Sequence, residues 1–332
     1  MKKLESLNFV KALAITLVVA NHAQLSTGLH GGLNALLLIS GISMATFAFH
    51  GTTANTLAAF RRFTLRIAAP AFLIALVWAV AVSDIRWIEL GFISNWFYKS
   101  RVVLFPIWYV QVIVQIMIVL SLLFWLFDLT PVFVRSPLAA ASVALLMSMC
   151  ICLGSYAVWD TDYLHDKLPH LLVWNFVLGW LYWAMAIRGE RALHIKLAFT
   201  LILVGCEALV FLLAGANNGE ARFLWMSVFA MILVWTDHVR LPSVLARICS
   251  LIGQSTLFVF FLHYYFFWIV IRIARLMGYA QSEIHPLLLL VPGVVGPVLV
   301  WAAFHAVRRA WVKTQRSVPT VPRTEALELK AH

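Results

Sequence analysis

Stretches of 17 to 22 predominantly apolar residues recur along almost the whole chain. A helix of about 20 such residues crosses the hydrocarbon core of a bilayer. The composition agrees, because 63% of the 332 residues are hydrophobic and 12% are charged, whereas about 25% are charged in soluble domains. The sequence therefore predicts an all-α polytopic membrane protein without a soluble domain.

Ten transmembrane helices are expected, near residues 8–25, 32–50, 67–83, 104–127, 138–158, 170–187, 196–214, 222–236, 255–277 and 286–307. The eighth is short for a full crossing. These helices form a single transmembrane domain over residues 1–310, and the polar residues 311–332 form a tail. The start of the chain resembles a signal peptide, but its small-residue cleavage site is poor, so we expect a retained signal-anchor.

The distribution of positive charge predicts the orientation. Ten helices place both termini on one side, and 18 of the 25 Lys and Arg residues fall on the termini, on the even-numbered connections or in the first helical turn beside them. The positive-inside rule makes that side cytoplasmic. The loop that contains Asp160, Asp162, His165 and Asp166 then lies outside. Because the net charge of +11 follows the cytoplasmic loops, no nucleic-acid partner is expected.

The first hydrophobic segment carries two ionisable residues, Lys11 and His22. Eleven residues correspond to three helical turns plus about 20°, so the two side chains share a face and lie about 16 Å apart along the axis. Ionisable residues within a membrane helix usually face a polar cavity. The pair predicts a polar path with a proton-transfer group at its exterior end. The structural alternatives are a snorkelling lysine and a histidine in the wet interface.

A basic stretch precedes the third predicted helix and contains Arg61, Arg62 and Arg66. Arg62 and Arg66 are neighbours on one helix face, four residues apart. Guanidinium groups suit phosphate oxygens, so the stretch predicts an anion site on the cytoplasmic side. The alternative is a topology determinant that contacts anionic lipids.

Several other polar or aromatic residues fall within or beside the predicted spans. Ser40 precedes Gly41 in the second helix, and Gln111 and Gln115 share a face of the fourth. Buried polar groups in a membrane mark substrate or ion paths. We therefore assign a candidate substrate channel to Ser40, Trp108, Tyr109, Gln111, Gln115, Glu207 and His263. The sequence shows no P-loop, no metal-ligand spacing and no nucleophile elbow.

Taken in order, these segments resemble the acyltransferase 3 family of integral membrane proteins. That family is marked by an arginine and a histidine separated by ten residues in its first helix, which Lys11 and His22 match. The similarity continues through Gly32–Gly41, Arg61–Pro70, Trp108-Tyr109, the Gly179 segment and Ser255–His263. Lys11 replaces the usual arginine and Asn8 the usual acidic residue, so the positive charge is kept without the arginine fork. Arg62 and Arg66 have three residues between them, where the family usually has two.

The resemblance implies an O-acyltransferase of the bacterial cytoplasmic (inner) membrane. Such enzymes transfer an acyl group, commonly acetyl from acetyl-CoA, to a sugar hydroxyl. The acceptors are envelope polysaccharides, lipid-linked glycans or exported glycosides. Acetyl-CoA, or another acyl-CoA, is a donor substrate, so no permanently bound cofactor is expected. Membrane lipids surround the protein, and envelope-assembly proteins are expected partners.

The same resemblance implies roles for individual residues. Lys11, Arg61, Arg62 and Arg66 are the expected ligands of the polyphosphate of the cytoplasmic donor. His22 is the expected general base for the acceptor hydroxyl, and an acyl-histidine intermediate is the mechanistic variant.

Two alternatives come from other classes of protein. A transporter or flippase would use Lys11, His22 and Glu207 for substrate binding or proton relay. It gains support from Pro292-Gly293 and Gly296-Pro297, which could interrupt the last helix. A catalytically inactive relative would bind or sense a ligand, and the substitutions Asn8 and Lys11 favour it.

Overall fold

The computed structural model describes residues 2–25, 28–81, 87–96, 108–158, 167–187, 192–214 and 220–316. The acidic loop at Asp160–Asp166 and residues 317–332 of the predicted tail lie outside the described residues, whereas the first residues of that tail, 311–316, are helical. Of the described residues, 86% are helical.

Thirteen α-helices and one pair of short strands make up the described ranges. The helices are α1 (Ser6–His22), α2 (Gly32–Ala48), α3 (Thr53–Ala81), α4 (Trp87–Leu90), α5 (Trp108–Phe127), α6 (Thr130–Arg135), α7 (Pro137–Val158), α8 (Pro169–Ile187), α9 (Leu193–Ala214), α10 (Glu220–Trp235), α11 (Ser243–Gln254), α12 (Thr256–Leu276) and α13 (Pro286–Arg316). The strands are β1 (Lys2–Glu5) and β2 (His238–Leu241), and short 3₁₀ turns lie at Ser94–Trp96 and Gln281–Glu283.

The helices confirm an all-α integral membrane protein. Each of the ten predicted segments coincides with a helix: α1, α2, α3, α5, α7, α8, α9, α10, α12 and α13. Within the described ranges, five of them, α5, α7, α9, α12 and α13, are long and apolar enough to cross a membrane. Large apolar side chains also point outward, as Leu201 (72% exposed) and Leu212 (75% exposed) do on α9. Lipid contact accounts for such exposure.

Helix α3 is longer than hydropathy predicted, since it begins at Thr53. The basic stretch was expected to precede this helix, but Arg61, Arg62 and Arg66 lie inside it. The hydroxyl of Thr53 donates to Asp128 and so ties the start of α3 to the end of α5. The arginines are thus held on a rigid helix.

The strands and α11 were not predicted. β1 pairs with β2 in antiparallel register, with Lys3 opposite Arg240. Helix α11 turns Ala246, Cys249 and Gly253 inward. A Cβ atom at Gly253 would lie 2.5 Å from the carbonyl oxygen of Asn8, so α11 packs directly on the backbone of α1. Together these elements fix the end of α1 that carries Lys11.

Two glycines allow α2 and α8 to touch backbone to backbone. A Cβ atom at Gly41 would lie 1.9 Å from the carbonyl oxygen of Phe176, and one at Gly179 would lie 2.2 Å from that of Leu38. Small residues at helix interfaces permit this close approach in membranes. The Ser40-Gly41 motif of the family resemblance therefore serves helix packing at Gly41.

Helix α13 continues without interruption through Pro292 and Pro297. The interruption that the transporter alternative would use is therefore absent from this helix. Two aromatic rings of α12 pack against the glycines beside these prolines. A Cβ atom at Gly293 would lie 2.4 Å from the ring of Phe267, and one at Gly296 would lie 2.2 Å from the ring of Phe266. The Pro-Gly pairs serve packing between α12 and α13, which removes the support that they gave to a transporter.

Candidate active site

A pair of histidines joins α1 to α12. His22 is the last residue of α1, and its Nδ1 lies 2.9 Å from Nε2 of His263. The two rings are nearly parallel, at 6°, with their centroids 5.1 Å apart. His263 is 1% exposed, and its Nδ1 lies 3.0 Å from the carbonyl oxygen of Val259, one turn earlier in α12. Two imidazoles are thus held in a fixed mutual orientation.

Aromatic side chains surround the histidine pair. The ring centroid of Tyr264 lies 5.0 Å from that of His22 and 4.4 Å from that of His263. Phe267, one turn later on α12, contacts His263 edge to face, and their ring centroids are 5.6 Å apart. Such packing lowers the local dielectric, so each hydrogen bond of the pair is stronger than it would be in water.

A cavity of about 700 Å³ opens at the other end of α1. Three cations line it: Lys11 from α1, and Arg62 and Arg66 from α3. The described lining contains no carboxylate. The rest of the lining is mainly apolar and comes from α2, α3, α5, α11 and α12: Leu36, Ile39, Ser40, Ser43, Met44, Phe47, Ala59, Phe63, Ile67, Tyr109, Val110, Ile113, Gly253, Gln254, Thr256, Leu257 and Phe260. A cavity of this size with convergent positive groups fits an anionic ligand that has an apolar portion.

Two aromatic rings lie between this cavity and the histidine pair. Tyr109, 7% exposed, and Phe260, 6% exposed, both line the cavity, and their ring centroids are 5.1 Å apart. Tyr109 also hydrogen-bonds to Ser40. The ring centroid of Phe260 lies 6.3 Å from that of His263. Because Phe260 and His263 are one turn apart on α12, the cavity ends only about 5 Å along that helix from the pair.

Most of the donor-site and channel residues expected from the sequence fall into these two clusters. Lys11, Arg62, Arg66, Ser40 and Tyr109 line the cavity. Arg61 is exposed and does not line it. His22 and His263 form the pair at the opposite end of α1.

The two glutamines of α5 hold a neighbouring turn. Gln111, 1% exposed, donates to the hydroxyl of Ser94 at 2.7 Å and accepts from the backbone N–H of Asn95 at 3.1 Å. Gln115 accepts from the side chains of Asn95, at 3.2 Å, and Trp96, at 3.1 Å. Neither glutamine lines the cavity. They fasten the 3₁₀ turn to α5.

Trp108 and Glu207 do not line the cavity, although the ring centroid of Trp108 lies 6.4 Å from that of Tyr109, which does. The Nζ atom of Lys167 lies 5.5 Å from the ring centroid of Trp108, a cation–π contact at the start of α5. Glu207, 6% exposed on α9, accepts a hydrogen bond from Ser227 on α10. Its other carboxyl oxygen has no hydrogen-bond partner among the residues that the structure describes.

Phe260 and Tyr264 were not singled out from the sequence. Both belong to an aromatic-rich run around His263, and their spacing of three and one residues from it is the signal that could have found them. The contact between the two histidines has no such local signal.

The comparison with protein families gives a match over nearly the whole chain. The family described as acyltransferase domain, acyltransferase 3, matches residues 4–306, which include every residue of both clusters. No curated protein and no solved structure matches the chain. The chain belongs to the acyltransferase 3 family, and it is a membrane acyltransferase.

Proposed function

We propose that this acyltransferase moves an acetyl group from acetyl-CoA to a hydroxyl of an envelope or exported carbohydrate. The observation that carries the proposal is the arrangement along α1 and α12. A cationic cavity and a pair of histidines lie toward opposite ends of α1, with the rings of Tyr109 and Phe260 between them. Such an arrangement suits a donor and an acceptor that approach from opposite sides.

The cavity is the proposed donor site. Acyl-CoA is a cytoplasmic, polyphosphorylated molecule, and the positive-inside rule assigns the Lys11 end of α1 to the cytoplasm. Arg62 and Arg66 line the cavity on one face of α3, where their forked guanidinium groups can bind phosphate oxygens. The apolar lining suits the pantetheine arm, whose thioester must reach Phe260.

The histidine pair is the proposed acceptor site. Nε2 of His22 accepts the proton of the sugar hydroxyl while the hydroxyl oxygen attacks the thioester carbonyl. The C–O bond forms, the C–S bond breaks, and the CoA thiolate leaves and takes up the proton from His22. The products are an acetyl ester and CoA with a free thiol.

An acyl-histidine variant uses the same nitrogen as the nucleophile. It predicts that protein incubated with radiolabelled acetyl-CoA alone becomes labelled at His22. The general-base mechanism predicts no covalent label without an acceptor. Mass spectrometry of the peptide that contains His22 separates the two.

The proposed setting is the bacterial cytoplasmic membrane, with lipids against the apolar outer surface. Acceptors on the His22 side would be polysaccharides, lipid-linked glycans or glycosides. Envelope-assembly proteins would then take the acylated product.

The test is release of CoA thiol from acetyl-CoA by the purified protein in detergent, with a crude envelope-glycan fraction as acceptor. We expect glycan-dependent release by the wild type and release at least about 10²-fold slower by His22→Ala. His50→Ala is the matched control, because His50 is exposed and outside both clusters. Equal release by wild type and His22→Ala would refute the role of His22. No release and no thermal stabilisation by CoA would refute the donor site.

A further inference from the structure

The hydrogen bonds of His263 determine which of its nitrogens carries the hydrogen. Its Nδ1 lies 3.0 Å from the carbonyl oxygen of Val259. A carbonyl oxygen only accepts, so the hydrogen of neutral His263 is on Nδ1. Its Nε2 therefore presents a lone pair, and this is the nitrogen that faces His22.

The same argument then fixes His22. Its Nδ1 lies 2.9 Å from Nε2 of His263. Because that nitrogen is an acceptor, Nδ1 of His22 must be the donor and carries the hydrogen. The lone pair of His22 is left on Nε2. Isolated histidine prefers the opposite tautomer, with the hydrogen on Nε2, in which the nitrogen needed as a base is blocked.

We propose that His263 is a positioning residue that holds His22 in the tautomer competent to act as a base. This role rests on the proposed function of His22. The chain of donors runs from Nδ1 of His22 to Nε2 of His263, and from Nδ1 of His263 to the backbone of Val259. It does for His22 what a buried carboxylate does for the histidine of a hydrolase triad.

The arrangement also gives the charge that catalysis creates a hydrogen-bond partner. When Nε2 of His22 takes the hydroxyl proton, the ring becomes an imidazolium whose Nδ1–H still donates to His263. This bond then has a charged donor, and such bonds are roughly twice as strong as neutral ones. Among the described residues no carboxylate hydrogen-bonds to either ring, so a second imidazole is the partner of the developing charge.

A purely structural role for His263 predicts something different. Coplanar, edge-to-edge packing against His22 and contacts with Tyr264 and Phe267 would need a flat ring of similar size, and no particular nitrogen. A tautomer-fixing role needs an acceptor at the position of Nε2. Two amide side chains distinguish these roles, since the amide of Gln reaches the position of Nε2 of a histidine, whereas that of Asn reaches only the position of Nδ1.

The first measurement is ¹⁵N NMR of histidine-labelled protein at mildly alkaline pH, with the His22 signals assigned by their loss in His22→Ala. An unprotonated ring nitrogen resonates far downfield of a protonated one. We expect Nε2 of His22 to be unprotonated in the wild type and in His263→Gln. We expect it to carry the hydrogen in His263→Asn. Protonated Nε2 in the wild type, or the same tautomer in both variants, would overturn the proposal.

The second measurement is the kinetics of thiol release from acetyl-CoA with the envelope-glycan fraction. We expect His263→Asn to lower kcat by about 10²-fold, within the range for a general base, with an unchanged KM for acetyl-CoA. His263→Gln should stay within about tenfold of the wild type. Equal losses in both variants would contradict a positioning role. Since the NMR result needs no turnover, a failure of the proposed function would show separately, as activity retained by His22→Ala.

Discussion

Nδ1 of His22 lies 2.9 Å from Nε2 of His263, although the two residues are 241 positions apart in the chain. The bond ties the end of α1 to the second turn of α12, and the cationic cavity lies beside the first turns of the same two helices. Donor binding and proton transfer are therefore assigned to separate clusters that share two helices. This separation gives predictions that distinguish kcat from KM.

Substitution His22→Ala should lower kcat by about 10²-fold or more, which is the usual contribution of a general base. The KM for acetyl-CoA should stay near that of the wild type, because His22 does not line the cavity. Initial rates of thiol release over a range of acetyl-CoA concentrations test this. A raised KM at an unchanged kcat would instead make His22 a binding residue.

The double substitution Arg62→Ala/Arg66→Ala should raise the KM for acetyl-CoA by about tenfold and leave kcat nearly unchanged. Exposed charge-assisted hydrogen bonds to phosphate contribute a binding free energy of about this size. The dependence of KM on salt should weaken as well. The matched control is Arg61→Ala, which removes a neighbouring positive charge outside the cavity lining. If Arg61→Ala has the same effect, general surface charge and not the cavity attracts the donor.

Replacement of Phe260 by Ala should open the cavity toward His263 and admit longer acyl groups. Two additional buried methylenes contribute about 1.6 kcal/mol, so kcat/KM for butyryl-CoA relative to acetyl-CoA should rise roughly tenfold. Phe258→Ala is the control on the same helix, where the ring packs against Phe304. An unchanged acyl preference in Phe260→Ala would show that this ring does not separate the thioester from the histidines.

Gly41→Ala should destabilise the protein by about 1–3 kcal/mol, since the new methyl group would overlap the carbonyl oxygen of Phe176. Gly154→Ala on α7 is the matched control, because a Cβ atom there has nothing within 4 Å. Helix propensity favours alanine by about 0.8–1 kcal/mol at such a site. Thermal unfolding in detergent should therefore give a lower Tm for the first variant only. Equal Tm values for the wild type and Gly41→Ala would mean that α2 and α8 can move apart without a loss of stability.

The helical segments could be predicted because long apolar runs are a local property of the sequence. The limits of that signal appear at α3, whose first turns, from Thr53 to Arg66, contain the arginines and are too polar for a hydropathy window. Helix α11 was missed for the same reason, since only one face of it is apolar. The pairing of Lys3 with Arg240 joins two four-residue strands far apart in the chain, which no periodicity indicates.

The site was predictable residue by residue, but its contacts were not. His22 and His263 stood out because histidines in a membrane segment are costly. Their hydrogen bond depends on how α1 and α12 pack, which a single sequence does not reveal. Gln111 and Gln115 were assigned to a channel because they share a face of α5. In the structure they instead hydrogen-bond to Ser94, Asn95 and Trp96.

The most direct test of the central claim, that donor and acceptor meet through α1 and α12 from opposite sides, is a sidedness measurement in sealed proteoliposomes. Radiolabelled acetyl-CoA is either enclosed or added outside, and the envelope-glycan fraction is always outside. We predict labelled glycan when the donor is enclosed and none when both are outside. Label only when both share a compartment, or no label in either arrangement from protein that is active in detergent, would contradict the claim.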